Sequence, residues 1–109
     1  MHELSIAESI VAAVTDKVAA TPIRRVRVEV GRLCGVVPDA LRFCFELATG
    51  GTCLAGAELE IVSSPGRGRC RDCRAEFDTD ELIVMCDCGS VDVEVLGGRE
   101  LLIREVEVV

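Results

Sequence analysis

The chain has no tryptophan and no tyrosine, and its only aromatic rings are Phe43, Phe45 and Phe77. One histidine, one lysine and three prolines stand in 109 residues. Each scarcity excludes something. With so few rings, the core must be built from Val, Leu, Ile and Ala, with the phenylalanines as its only large pieces. There is also little on which single-stranded bases can stack. Basic residues are outnumbered by acidic ones, 12 to 19, for a net charge of −7. That opposes nonspecific binding to a phosphate backbone, and it suits handling cations or meeting a basic surface. Long apolar runs are missing too. Glu8, Asp16 and Lys17 interrupt the first helix, no basic leader precedes it, and nothing approaches the ~20 apolar residues of a membrane span. The expectation is a cytoplasmic protein with no membrane contact.

Half of the residues are apolar, enough for a core in one compact domain with a small satellite. Ser5-Ile6-Ala7-Glu8 reads as an S-x-x-E capping box that opens a helix. Ile6, Ala7, Ile10, Val11, Val14 and Val18 supply its apolar stripe, and Thr21-Pro22 ends it. On that reading residues 1–4 precede the helix as a free arm. Ile23 to Val30 alternates, with Val26, Val28 and Val30 on one face and Arg25, Arg27 and Glu29 on the other, as a half-buried strand does. Pro38-Asp39 opens a second helix with Leu41, Cys44, Phe45 and Ala48 inward, and Gly50-Gly51 closes it. Ala57, Leu59 and Ile61 form a second strand. Leu101 to Val109 forms a last one, with Val106 and Val108 inward and Glu105 and Glu107 outward. Between them, 63–68 and 96–98 read as glycine-rich hinges around a cysteine-bearing insert. The expected fold is α+β: two helices on a three-stranded sheet, with an inserted zinc-ribbon-like module. Residues 1–62 plus 99–109 form the main unit and 63–98 the insert.

Seven cysteines are an odd number for a secreted disulfide framework, and clustered cysteines in a reducing compartment point to metal or redox chemistry. Cys70 and Cys73 form a C-x2-C knuckle. Cys86 and Cys88 follow as a tighter C-x-C pair, then Gly89-Ser90. Two such pairs grip two faces of a tetrahedron, the pattern of a structural four-cysteine zinc site. A segment this poor in apolar bulk needs the ion to fold. Arg67, Arg69, Arg71 and Arg74 crowd the first knuckle and offset the thiolate charge. Three alternatives stay open: a redox dithiol at Cys70 and Cys73, Cys53 as a substitute ligand, and a zinc ribbon that binds nucleic acid or a transcription complex through the arginines. Cys34, Cys44 and Cys53 are scattered and read as small core residues.

His2 stands at the tip of the chain. It is either an idle terminal residue or part of a chelate with the α-amine and neighbouring backbone nitrogens, a planar nitrogen set of the kind Ni(II) and Cu(II) favour.

Met1-His2-Glu3, the helix–strand–helix–strand order, the cysteine insert before the last strand, the Gly-Ser after the final cysteine, and Phe43-Cys44-Phe45-Glu46 together resemble the HypA/HybF family. These are nickel metallochaperones of hydrogenase maturation and, in some species, of urease. The resemblance spans essentially the whole chain. It implies a non-enzymatic protein that holds transported Ni2+ through Met1, His2 and Glu3 and structural Zn2+ through Cys70, Cys73, Cys86 and Cys88. The implied partners are a nickel-handling maturation GTPase and the hydrogenase large subunit, with the chaperone itself a monomer or homodimer. No G-x4-G-K-[ST] loop occurs in this chain, so nucleotide hydrolysis falls to the GTPase. Glu3 either tunes the nickel site, contacts a partner, or is a solvated carboxylate.

Overall fold

The computed structural model describes residues 2–18 and 21–109. The elements run α1 (Glu3–Val18), β1 (Ile23–Gly31), α2 (Pro38–Thr49), β2 (Glu58–Ser64), β3 (Gly66–Cys70), β4 (Glu76–Thr79), β5 (Val93–Gly97) and β6 (Leu101–Val108). They make two three-stranded sheets, ordered β2-β1-β6 and β4-β3-β5. In the first sheet β1 runs parallel to β2 and antiparallel to β6, with Val26 opposite both Leu59 and Val106. A parallel pair needs a crossover, and α2 supplies it.

The alternation of β1 puts Val26, Val28 and Val30 under the helices, each at most 4 % exposed. Ala7, Ile10, Val11 and Val14 of α1 and Leu41 and Phe45 of α2 complete that core, with Leu54 and Leu59. Cys34, Cys44 and Cys53 are half-buried at its margin. The opposite face of the sheet is charged. Arg25 meets Glu107 at 2.6 Å, Arg27 meets Glu60 at 3.2 Å and Glu105 at 3.1 Å, and Arg104 meets Glu29 at 2.7 Å. The second sheet is antiparallel and thin, with Gly68 opposite Phe77 and Val95.

Four expectations are corrected. The first helix begins at Glu3, not after Ser5. The His2 carbonyl accepts the Ile6 N–H at 3.2 Å, and the Ser5 carbonyl accepts the Ser9 hydroxyl rather than Ser5 capping the helix. The free arm is therefore shorter than the four residues expected. Phe43 is not a core ring; it is 62 % exposed on the outer side of α2. Val108 is exposed: the register of β6 against β1 shifts between Ile23 and Arg25, at the end of β6 where Val108 lies opposite Ile23.

The fourth correction concerns the glycine-rich stretches, which are close contacts and not hinges. β2 runs on to Ser64, and β3 starts at Gly66 after a single proline. A Cβ on Gly66 would overlap the Thr79 carbonyl oxygen and come within 2.7 Å of Leu33 Cγ. Gly98, at φ +106°, would drive a Cβ into the Gly66 backbone. Around this junction the Leu33 N–H donates to the Gly98 carbonyl and the Gly31 N–H to the Glu100 carbonyl, both at 2.7 Å. The Glu100 carboxylate accepts the Gly98 N–H at 2.9 Å and the Ser64 hydroxyl at 2.7 Å. Glycine is present here because backbones touch, a separate use from its freedom in turns.

Candidate metal centres

β3 ends in Cys70, and the chain turns back at once. The Cys70 carbonyl accepts the Arg74 N–H at 2.9 Å, the Cys70 N–H donates to Ala75, and Arg74 takes a left-handed φ of +66°. This turn lays the Cys73 N–H on the Cys70 sulfur at 3.4 Å. The second pair lies in an equally tight turn. The Cys86 carbonyl accepts the Gly89 N–H at 2.8 Å, and the Cys86 N–H donates to the Ser90 carbonyl at 2.9 Å, with Gly89 at φ +93°. The missing spacer in Cys86-Asp87-Cys88 is thus absorbed by a glycine that reaches the left-handed region without strain. Side chains lock the two knuckles together: the Ser90 hydroxyl donates to the Asp72 carboxylate, and Arg71 pairs with Asp92 at 2.9 Å.

The four sulfurs of Cys70, Cys73, Cys86 and Cys88 all lie within 4.8 Å of one another. Cys70 and Cys88 are 3.7 Å apart, and Cys73 and Cys86 are 3.5 Å apart. These are too far for disulfides. A tetrahedral ion with metal–sulfur bonds of about 2.3 Å would set sulfurs about 3.8 Å apart, so the cage suits Zn2+ with modest adjustment. Cys70 and Cys86 are buried, while Cys73 and Cys88 are exposed at the rim.

The thiols themselves favour a cation. The N–H of Cys73, aimed at its sulfur, leads the contacts that bring the Cys70 thiol down to about 6 against the pull of burial. The other three are pushed up, although each has a backbone N–H (of Ala75, Cys88 and Ser90 in turn) working to lower it. Burial and crowding by neighbouring sulfurs outweigh those N–H groups. One thiolate is welcome here; four are stable only with a positive ion among them.

The arginines do not act as expected. Arg67 pairs with Asp78 at 2.7 Å and with Glu76 at 3.4 Å, and Arg69 pairs with Glu76 at 3.4 Å and Glu94 at 3.6 Å. With Arg71 held by Asp92, three of the four are occupied by carboxylates. That removes the basic patch on which a nucleic-acid reading rested. Cys53 is no substitute ligand: it packs against the helix-side core, and its carbonyl accepts the Ile23 N–H at 3.0 Å.

At the other candidate centre, Met1 lies outside the described residues. His2 is exposed. Glu3 is not a free carboxylate: its Oε2 accepts the Val37 N–H at 3.1 Å. That bond, first among its contacts, holds the Glu3 carboxyl below the ordinary range. Val37 precedes Pro38 as the N-cap residue of α2 and has no side-chain acceptor of its own. Glu3 supplies the negative group which that helix end favours. The Glu3–Val37 contact joins residues far apart in sequence. Only Val37-Pro38, a helix start without a cap, hinted that an acceptor was needed.

A two-sheet α+β frame carrying four converging cysteines is the build of a metal-handling protein. Comparison with known proteins makes this specific. The family model described as hydrogenase/urease nickel incorporation, metallochaperone, HypA matches residues 1–108. A hydrogenase maturation factor HypA of Nostoc punctiforme is 46% identical over 108 residues, covering 99% of this chain and 96% of that protein. One of Geotalea uraniireducens is 46% identical over 109 residues, covering 99% of each. Among solved structures, the Ni metallochaperone HypA from Helicobacter pylori superposes with a TM-score of 0.66 at 26% identity, covering 99% of this chain and 97% of that one. The chain belongs to the HypA family of nickel metallochaperones for hydrogenase maturation. Among the described residues, no helix is long and apolar enough to cross a membrane.

Proposed function

We propose that this chain captures Ni(II) at Met1, His2 and Glu3 and passes it to the large subunit of a [NiFe]-hydrogenase during maturation. A nickel-handling GTPase acts alongside it, and Cys70, Cys73, Cys86 and Cys88 hold a structural Zn2+. In this reading residues 1–62 and 99–109 handle the nickel, residues 63–98 are stabilised by zinc, and the protein is cytoplasmic and not an enzyme.

The observation that carries the nickel reading is the position of His2. It is exposed immediately before α1, where the first backbone N–H groups of a helix have no partner within the helix. In this reading the backbone nitrogens of His2 and Glu3 and the His2 imidazole gather, with the Met1 amine, around one ion. Glu3 contributes its backbone nitrogen, because its carboxylate is engaged by Val37. A nitrogen set in a plane favours Ni(II) over hard cations, with Cu(II) as the competitor. A site of a few exposed donors releases its ion readily, as delivery requires.

The test is a Ni(II) titration of tag-free, zinc-loaded protein beside His2→Ala and beside a chain with one residue added ahead of Met1. The reading expects the planar-site absorption and the tight binding to vanish in both altered chains. Equal nickel binding by all three would overturn it. Zinc content of one ion per chain, lost in Cys70→Ser, checks the second site separately.

A further inference from the structure

The cysteine-bearing sheet exposes a run that a stable surface does not ordinarily leave bare. Leu82 is 63 % exposed, Ile83 81 % and Met85 58 %, and residues 81–85 form neither helix nor strand. Beside them lies a groove of about 450 Å³ lined by Phe77, Thr79, Ile83 and Met85 together with Asp78, Glu81 and Asp87. One wall of the groove is β4, an edge strand with β3 on one side and no strand on the other among the described residues.

From these residues we infer that the groove beside β4 is a docking site for an extended segment of a partner protein that alternates basic and apolar side chains. Charge decides the occupant. Residues 63–98 carry eight carboxylates against four arginines. Arg67, Arg69 and Arg71 are already tied to Glu76, Asp78, Glu94 and Asp92. Glu81 and Asp87 have no ion-pair partner among the described residues, and both face the groove. Four thiolates around one divalent ion add further negative charge. A guest strand that pairs with the open edge of β4 would place alternate side chains on the Phe77, Ile83 and Met85 wall. Its remaining side chains would reach the carboxylate rim, where only cations are welcome. An acidic segment would be repelled, and a purely polar basic one would leave the apolar wall wet. This site does not depend on where nickel binds.

The experiment uses the full, zinc-loaded chain labelled for amide NMR. The probe is a short synthetic peptide alternating arginine and isoleucine, run beside glutamate–isoleucine and arginine–serine versions. The arginine–isoleucine peptide should shift the amides of 76–87 and leave those of α1 and α2 in place, and the other two peptides should shift neither. Glu81→Lys and Ile83→Ser, both at exposed positions, should each weaken binding about tenfold while zinc content stays at one ion per chain. Shifts centred on another surface, equal binding of all three peptides, or unchanged affinity in both variants would overturn the proposal. So would a concentration-dependent dimer of the free chain that Ile83→Ser abolishes, since the groove would then belong to a second copy.

Discussion

The sheet under the helices and the sheet around the cysteines have three strands each, but they are held by different forces. The first buries Phe45, Leu41, Leu54, Val26 and Val28 almost completely. In the second, the buried side chains are Cys70 and Cys86, and Phe77 is only half-buried. One is a hydrophobic core in miniature. The other substitutes an ion, a few ion pairs and backbone contacts at glycine. Where apolar area runs out, coordination replaces it.

The largest way to break this contrast is to remove the ion. Chelation takes away the ion's binding energy, on the order of 10–16 kcal/mol for a structural zinc, and Cys70→Ser, at a buried cysteine of the cluster, takes away part of it. Amide exchange should become fast throughout β3, β4 and β5 while α1 and β1 stay protected. Loss of protection in both sheets together would show that the two do not differ. Next in size is Leu41→Ala, which opens a cavity in the helix-side core. It should cost about 2–5 kcal/mol in denaturant melts and leave the bound-metal content unchanged.

Gly66→Ala sharpens the comparison at the junction. The added methyl meets the Thr79 carbonyl and Leu33, and a loss of about 1–3 kcal/mol is expected from such overpacking. A hinge glycine would accept the same change almost freely, so the melt separates the two readings. The smallest effect is expected from Glu100→Gln. The Gly98 N–H first, then the Ser64 hydroxyl, hold the Glu100 carboxyl below its ordinary value of 4.5. Its contribution is therefore full above that value and fades as pH falls through the lowered one. The wild-type chain should lose this increment on acidification, and the Gln variant should show a flatter stability profile below pH about 5.

What the sequence made legible was local. The period of two in β1, the apolar face of α2 after Val37-Pro38, and two cysteine pairs each announce their element within a few residues, and the fold class follows from their order. What it hid involves distant partners. The glycines at 66 and 98 look like freedom until Leu33 and Thr79 are seen against them. Ser5-Ile6-Ala7-Glu8 satisfies a capping rule, yet α1 starts earlier, with the Glu3 carboxylate bonded to Val37. The arginines beside the first knuckle suggested a thiolate screen or a phosphate surface, and their carboxylates come from β4, β5 and Asp92. The cysteine cage was nearly complete in the sequence, except that its shortened second turn needed the φ of Gly89 to close.

The junction at Ser64, Gly98 and Glu100 also has a meaning for chain entropy. β6 pairs with β1 across the whole excursion from 65 to 99. With the cysteines gathered on an ion, that excursion is a rigid body whose ends already meet, and β6 continues β2 as though through a short turn. With the ion gone, it is a long flexible loop, and closing it costs about 2 kcal/mol more by the logarithmic dependence on loop length. The ion therefore favours the pairing of β6 with β1, two strands it never touches, by shortening the loop that joins β2 to β6.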